Sequence, residues 1–202
     1  YTAGVHPHQA DHASEQDLRQ LKQFCADESM VAIGECGLDF NRNFSTPENQ
    51  LAVFEAQLKI AAENHQTVYL HERDASDDMI NILTEFNVRG VLHCFTGDES
   101  ALKSYLALGL YIGITGWVCD ERRGQALQAL APSIPLNRLL IETDAPFLIP
   151  RTVKPKPKSR RNEPALLTHV CQTLAELYQI DAKSVAKQTT DNFYTVFGLE
   201  AR

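Results

Sequence analysis

Short apolar runs rich in β-branched residues alternate along the chain with stretches whose apolar residues recur every three or four positions. The first pattern predicts strands and the second amphipathic helices, and their alternation predicts parallel strands joined by crossover helices. Six strands follow: Thr2 to His6, Val31 to Cys36, Thr67 to His71, Gly90 to Phe95, Leu110 to Thr115 and Leu139 to Thr143. Between them, Ser14 opens a helix with Leu18, Leu21, Phe24 and Cys25 on one face, and Asp17 completes an S-x-x-D capping pattern. Thr46-Pro47 opens a second helix, carrying Leu51, Phe54, Leu58 and Ala61. Met79, Ile82, Leu83 and Phe86 mark a third, and Asp98 caps a fourth that Gly109 ends. After the last strand the pattern predicts helices from about Asn162 to Tyr178 and from Asp181 to Phe197.

Each predicted strand matters most for what it ends in. The runs finish in His6 with His8, Glu35, His71, His93, and Glu142 with Asp144. Five strands therefore deliver a titratable or metal-capable side chain at the carboxyl end, which is the active-site edge of parallel α/β proteins. A single strand-end His is more often a hydrogen-bonded loop residue, but chance would scatter such residues over both ends. The acids of LLIETDAPFLIP end an apolar run, where a carboxylate is costly unless paired or bound to a cation.

Geometry favours a closed sheet over a flat one. Strands lie roughly 4.8 Å apart, so the outer two of six would stand about 24 Å from each other, whereas metal ligands reach only about 2 Å. Closure into a TIM-type (β/α)8 barrel brings all strand ends around one point. Six strands are two short of that barrel, and the expectation is an α/β chain that lacks the first two βα units.

Composition adds bounds. With 202 residues, 44% hydrophobic and 22% charged, the chain suffices for one sizeable core and is short for two, so residues 1–202 are read as one incomplete barrel domain. No run of about 18 apolar residues and no charged, apolar leader is visible, so neither a membrane span nor a signal peptide is expected. Cys25, Cys36, Cys94, Cys119 and Cys171 are odd in number and without a C-x-x-C pair. That argues against a disulfide framework or zinc ribbon and for a reducing cytoplasm. A net charge of −7 speaks against coating nucleic acid by bulk electrostatics, but leaves room for an enzyme whose metals meet the phosphate.

Seven segments resemble, in order, the TatD-type metal-dependent deoxyribonucleases of the amidohydrolase-like barrels: TAGVHPH, VAIGECGLDFNRNFSTPE, YLHERDA, VLHCFTG, YIGITGWVCDERRG, LLIETDAPFLIPR and SRRNEP. Two local departures are Glu72 between His71 and Arg73, and Thr67 where the family often has Pro. The resemblance implies a hydrolase that removes nucleotides from single-stranded 3′ ends of DNA, and of RNA as a further substrate, with divalent ions. Two ions are expected, Mg2+ or Mn2+ favoured and Zn2+ compatible with imidazole plus carboxylate. Glu35 would bridge them, with His71 and His93 as nitrogen ligands and Asp144 as a terminal oxygen ligand. Glu142, two residues from Asp144, fits an outer-shell or proton-carrying role, or equally a salt bridge.

Other candidates carry weaker signals. His6 and His8 mimic an H-x-H pair, and His6 fits a site role as well as a loop role. Arg73 suits a phosphate oxygen through its planar fork, or a pair with Asp74 or Glu72. Lys154, Lys156, Lys158, Arg160 and Arg161 of KPKPKSRR follow the ETDAP strand end and would track a nucleic-acid backbone, or form a solvated loop. Trp117, the sole Trp, stands where it would stack a base or pack the rim. A small-molecule amidohydrolase or lactonase would use the same ions without needing the basic strip. An inactive truncated barrel is the third reading.

Overall fold

The computed structural model describes residues 1–155, 158–159 and 161–200. Its strands are β1 (Thr2–Ala3), β2 (Ala32–Asp39), β3 (Val68–Arg73), β4 (Gly90–Leu92), β5 (Tyr111–Ile114) and β6 (Leu139–Ile141). They form one sheet in sequence order, every neighbouring pair parallel. The connecting helices are α1 (Glu15–Phe24), α2 (Pro47–Glu63), α3 (Ser76–Thr84), α4 (Glu99–Ala107) and α5 (Gln125–Leu130), and α6 (Leu167–Tyr178) and α7 (Ala182–Phe197) follow the last strand. This is the βα alternation of a TIM-type barrel, with β1 and β6 as the end strands among the described residues.

Helices begin where a side chain satisfies their free amide groups. Ser14 Oγ accepts from the Asp17 amide at 3.3 Å while Asp17 Oδ2 accepts from the Ser14 amide at 2.9 Å, the reciprocal pattern the sequence predicts. Thr46 and Asp98 cap α2 and α4 by accepting from Asn49 and Ala101. The departures at Thr67 and Glu72 have local uses. Thr67 Oγ1 donates to the Val196 carbonyl at 2.9 Å, which Pro has no group to do, and Glu72 Oε1 accepts the Ala75 amide at 2.9 Å where α3 starts.

Several boundaries differ from those expected. β1 stops at Ala3 because Pro7–His12 coils into a 3-10 helix, for which His6 is the cap. Strands β2 and β3 run on to Asp39 and Arg73, while β4 and β6 end before His93 and Glu142, which therefore lie at the starts of exit loops. The helix expected from Asn162 begins at Leu167, after a 3-10 turn that Pro164 opens.

Alternation along the strands sorts side chains onto two faces. Val68, Leu70, Leu92, Ile112, Ile114 and Leu139 join the main core under the helices. Tyr69, Val91, Tyr111 and Leu140 take the inner face and cluster with Val196 and Phe197 of α7. Beyond that cluster, the inner face opens into a mostly apolar cavity of about 680 Å3 that reaches Tyr69 and Glu142.

Helix α7 is held there by a buried amide. Asn192 Nδ2 donates to the Leu136 and Leu139 carbonyls at 2.8 and 2.7 Å, tying the helix to the start of β6. Removing that side chain strands two buried acceptors. Asn192→Ala should therefore lower stability by about 2 kcal/mol, read as a lower midpoint in urea with an unchanged slope. An unchanged midpoint would show that the amide does not anchor the helix.

Candidate active site

The same alternation that buries Val68 and Leu70 turns Tyr69 and His71 inward, and it treats Val91 with His93, and Leu140 with Glu142, alike. Strand β2 departs from it. Ile33, Cys36 and Leu38 all lie in the outer core, which strict alternation forbids, and the register with β3 slips between Gly34 and Cys36. Glu35 is the unpaired residue of that bulge, so it leaves the core side and faces inward. Gly34 and Gly37, at φ of 152° and 142°, flank it, and a Cβ on either would strike a β3 carbonyl, 2.2 Å from Tyr69 O and 1.9 Å from His71 O.

Glu35 is the hub of the resulting cluster. Its Oε1 lies 2.7 Å from His71 Nδ1, 3.6 Å from His6 Nε2 and 4.0 Å from His93 Nε2. His93 Nε2 also stands 3.7 Å from Asp144 Oδ1. Of the four residues expected from the sequence, Glu35, His71 and His93 thus meet, and Asp144 joins them through His93. The most compact metal-capable trio among the described residues is a different one, His6, His8 and His71, and it joins the four through Glu35 and His71.

Glu142 plays another part. Its Oε2 lies 2.6 Å from His93 Nδ1 and is also bonded by the Tyr69 hydroxyl, while its Oε1 accepts the Cys94 amide at 3.0 Å. Both carboxylate oxygens are occupied away from Asp144, so Glu142 orients the imidazole and leaves His93 Nε2 facing Glu35 and Asp144. The carboxylate fits only because residue 113 is glycine: a Cβ there would fall 1.5 Å from Glu142 Oε1.

The charges are unbalanced toward negative. Burial alone would push the Glu35 carboxyl up, yet bonds from His6 and His71 and the charge on His93 hold it well below the usual carboxylate range. Burial would lower His93, but the charge of Glu142 and the bonds to Asp144 and Glu142 push it up to about 11. Those carboxylates therefore favour a proton on the His93 ring. The imidazoles and carboxylates gathered here, with the His93 ring fixed by Glu142 and Tyr69, are donors that suit a divalent ion of borderline softness.

Sequence reasoning missed Asp39 and Tyr69. Asp39 is 1% exposed. Its Oδ2 lies 2.6 Å from His8 Nε2 and 3.3 Å from His71 Nε2, and its Oδ1 accepts the Asn41 and Arg42 amides. Burial opposes its charge, but these bonds hold its carboxyl below the ordinary range. The signal was present in ECGLD, since a strand carried three residues further puts Asp39 inward. Tyr69 reads as an ordinary strand aromatic, and only the fold shows its hydroxyl between His93 and Glu142.

The outlying candidates occupy the rim. Arg73 is exposed at the end of β3. Trp117 is half-buried after β5, with the Arg123 guanidinium 4.8 Å over its ring. Lys154, Lys158 and Arg161 are exposed, and Lys156 and Arg160 lie outside the described residues.

A parallel βα sheet whose imidazoles and carboxylates meet at the carboxyl ends of the strands is the architecture of a barrel hydrolase. The chain belongs to the TatD-related DNase family, whose model matches residues 1–198. It is 53% identical over 201 residues to the 3′-5′ ssDNA/RNA exonuclease TatD of Pectobacterium carotovorum, covering 98% of this chain and 77% of that protein. It is 50% identical over 202 residues to the exonuclease of the same name from Klebsiella pneumoniae, with the same coverage. Among solved structures, the TatD homologue YJJV of Escherichia coli superposes with a TM-score of 0.88 at 29% identity, over 98% of this chain and 76% of that one. A TatD-family hydrolase of Entamoeba histolytica gives 0.85 at 27%, over 96% and 73%. The protein is accordingly a nuclease, a hydrolase of phosphodiester bonds.

The fit of Glu142 against Gly113 yields a test. Gly113→Ala should displace that carboxylate and cost about 10- to 100-fold in cleavage rate, the scale of losing a partner that orients a site histidine. The far-ultraviolet circular dichroism should be retained. Full activity in the variant would show that Glu142 does not position His93.

Proposed function

We propose that the protein is a 3′-5′ exonuclease acting on single-stranded DNA, and on RNA, with two divalent ions held by Glu35, His71, His93 and Asp144. The observation that supports this reading is the meeting of His71 and His93 at Glu35, with Asp144 beside His93. Mg2+ or Mn2+ is favoured, and Zn2+ also suits the donor set.

Each residue has a role this chain supports. Glu35 offers two oxygens on an inward bulge, which suits it to bridge two cations. His71 is oriented by Asp39 and Glu35, and His93 by Glu142 and Tyr69, so both rings enter the site with set orientation. Divalent ions, when bound, supply Lewis-acid stabilisation of the phosphoryl charge and acidify water for attack. Asp144, its carboxylate 36% exposed, is the acid best placed to take a proton from incoming water. Arg73 and the exposed Lys154, Lys158 and Arg161 would hold backbone phosphates on the rim, and Trp117 would stack a base. His6 lies close enough to Glu35 to serve as a further ligand or to hold the substrate phosphate.

The working compartment is the cytoplasm, supported by five free cysteines. No helix among the described residues is long and apolar enough to cross a membrane.

The experiment is digestion of a single-stranded oligonucleotide labelled at either end, with Mg2+ and with chelator. Mononucleotides released from the 3′ end only, and only with metal, are expected. Glu35→Gln should lower the rate by about a hundredfold or more while leaving the fold intact. Internal cuts would refute the exonuclease assignment, and undiminished cleavage in chelator would refute the metal-dependent one.

A further inference from the structure

A second cavity of about 680 Å3 is lined by Trp117, Phe147, Arg123, Arg151 and Lys154 among others. Each of its aromatic residues is tied to the site at one remove. Phe147 closes a turn on Asp144, its amide donating to the Asp144 carbonyl at 2.6 Å. Trp117 follows Thr115, whose hydroxyl lies 3.2 Å from the sulfur of Cys94, the neighbour of His93.

The Phe147 wall combines an exposed ring with a fixed backbone. Phe147 is 66% exposed, the most exposed of the large hydrophobic residues described. Its loop is nevertheless pinned. Buried Asn162 donates through Nδ2 to the Phe147 and Leu148 carbonyls at 2.7 and 3.3 Å, and its amide donates to Pro146 O at 3.0 Å. On the other side, Gly116 approaches Leu148 so closely that a Cβ would lie 2.1 Å from that carbonyl. A loop held on both sides presents the ring to solvent and keeps it from folding inward.

The polar groups at this cavity suit a phosphate-bearing strand. Arg123 lies over the Trp117 ring and is 65% exposed, so its guanidinium is free on its outer side. The acids are already engaged: Asp120 accepts the Arg122 and Arg123 amides and Arg123 Nε, and Glu121 pairs with Arg151 at 3.1 Å. Exposed Lys154 completes a cationic edge. The exposed Phe147 ring and the Arg123 guanidinium laid over Trp117 offer planar groups on which an unpaired base can stack without its sequence being read, with Lys154 at the rim.

We propose that the space between Trp117 and Phe147 is a slot for one unpaired nucleobase of the bound strand, next to the nucleotide being removed, with Arg123 and Lys154 on its phosphates. The proposal rests on the nuclease reading above and adds to it a basis for preferring single strands, since a base inside a duplex has no free face to stack.

The test compares two oligothymidylates of equal length, one with normal bases and one with an abasic residue at the position next to the 3′-terminal nucleotide. The normal strand should show kcat/KM about tenfold higher, within the range of a single stacking contact. Phe147→Ala should bring that ratio close to one while leaving cleavage of the abasic strand unchanged. A purely structural role for Phe147 would lower both rates together and keep the ratio, and that result, or equal rates in the unaltered protein, would overturn the slot. Failure of the nuclease reading itself would appear differently, as no cleavage of either strand. Trp117, the only Trp in the chain, then still decides the matter. Its fluorescence should be quenched by the normal strand and less by the abasic one, and no difference would count against the proposal.

Discussion

A strand that alternates strictly cannot bury Ile33, Cys36 and Leu38 in one core and also turn Glu35 to the opposite face. The bulge between Gly34 and Cys36 resolves that conflict by leaving one residue unpaired, and the residue it frees is the carboxylate around which His6, His71 and His93 gather. Gly34 and Gly37 make the slip sterically feasible, because no side chain would fit against the β3 carbonyls there. The slip has a second effect. It resets the phase of β2, so that Leu38 returns to the core and Asp39 comes inward to meet His8 and His71.

Once Glu35 is inward, the surrounding electrostatics follow. Glu35, Asp39, Glu142 and Asp144 share a small volume with the imidazoles of His6, His8, His71 and His93. Each ring is oriented by a carboxylate or an amide: His8 and His71 by Asp39, His93 by Glu142 and Tyr69, His6 by the His8 amide. Such a site is unfavourable for folding unless a positive charge enters it. Glu142 and Asp144 beside His93 push its pKa up and so favour a proton on that ring.

The fold was largely legible in the sequence because parallel strands under helices read as apolar runs bounded by turn residues. The inward positions of His71, His93 and Glu142 were legible for the same reason, since period-two alternation and strand direction determine where they point, whereas Asp144 lies in the loop beyond β6. Legibility ended where local geometry broke the period. His6 and His8 read as a strand pair but sit on a 3-10 turn that Pro7 opens, and Asp39 lay beyond a strand end placed too early. Tyr69 and Asn162 work through partners 73 and 15 residues away, and no local pattern records such contacts. The packing of Val196 and Phe197 on the inner face is likewise tertiary.

The central claim, that the cluster is organised to hold a cation which displaces the His93 proton, is most directly tested by calorimetric titration of the chelator-treated protein with Mn2+ in buffers of different ionisation enthalpy near neutral pH. With the His93 pKa raised, the imidazole is protonated before metal enters, so binding should release about one proton per site and weaken as pH falls. Replacing Glu35 with Gln should abolish both heat and release. Tight binding with no proton release and no dependence on pH would contradict the account.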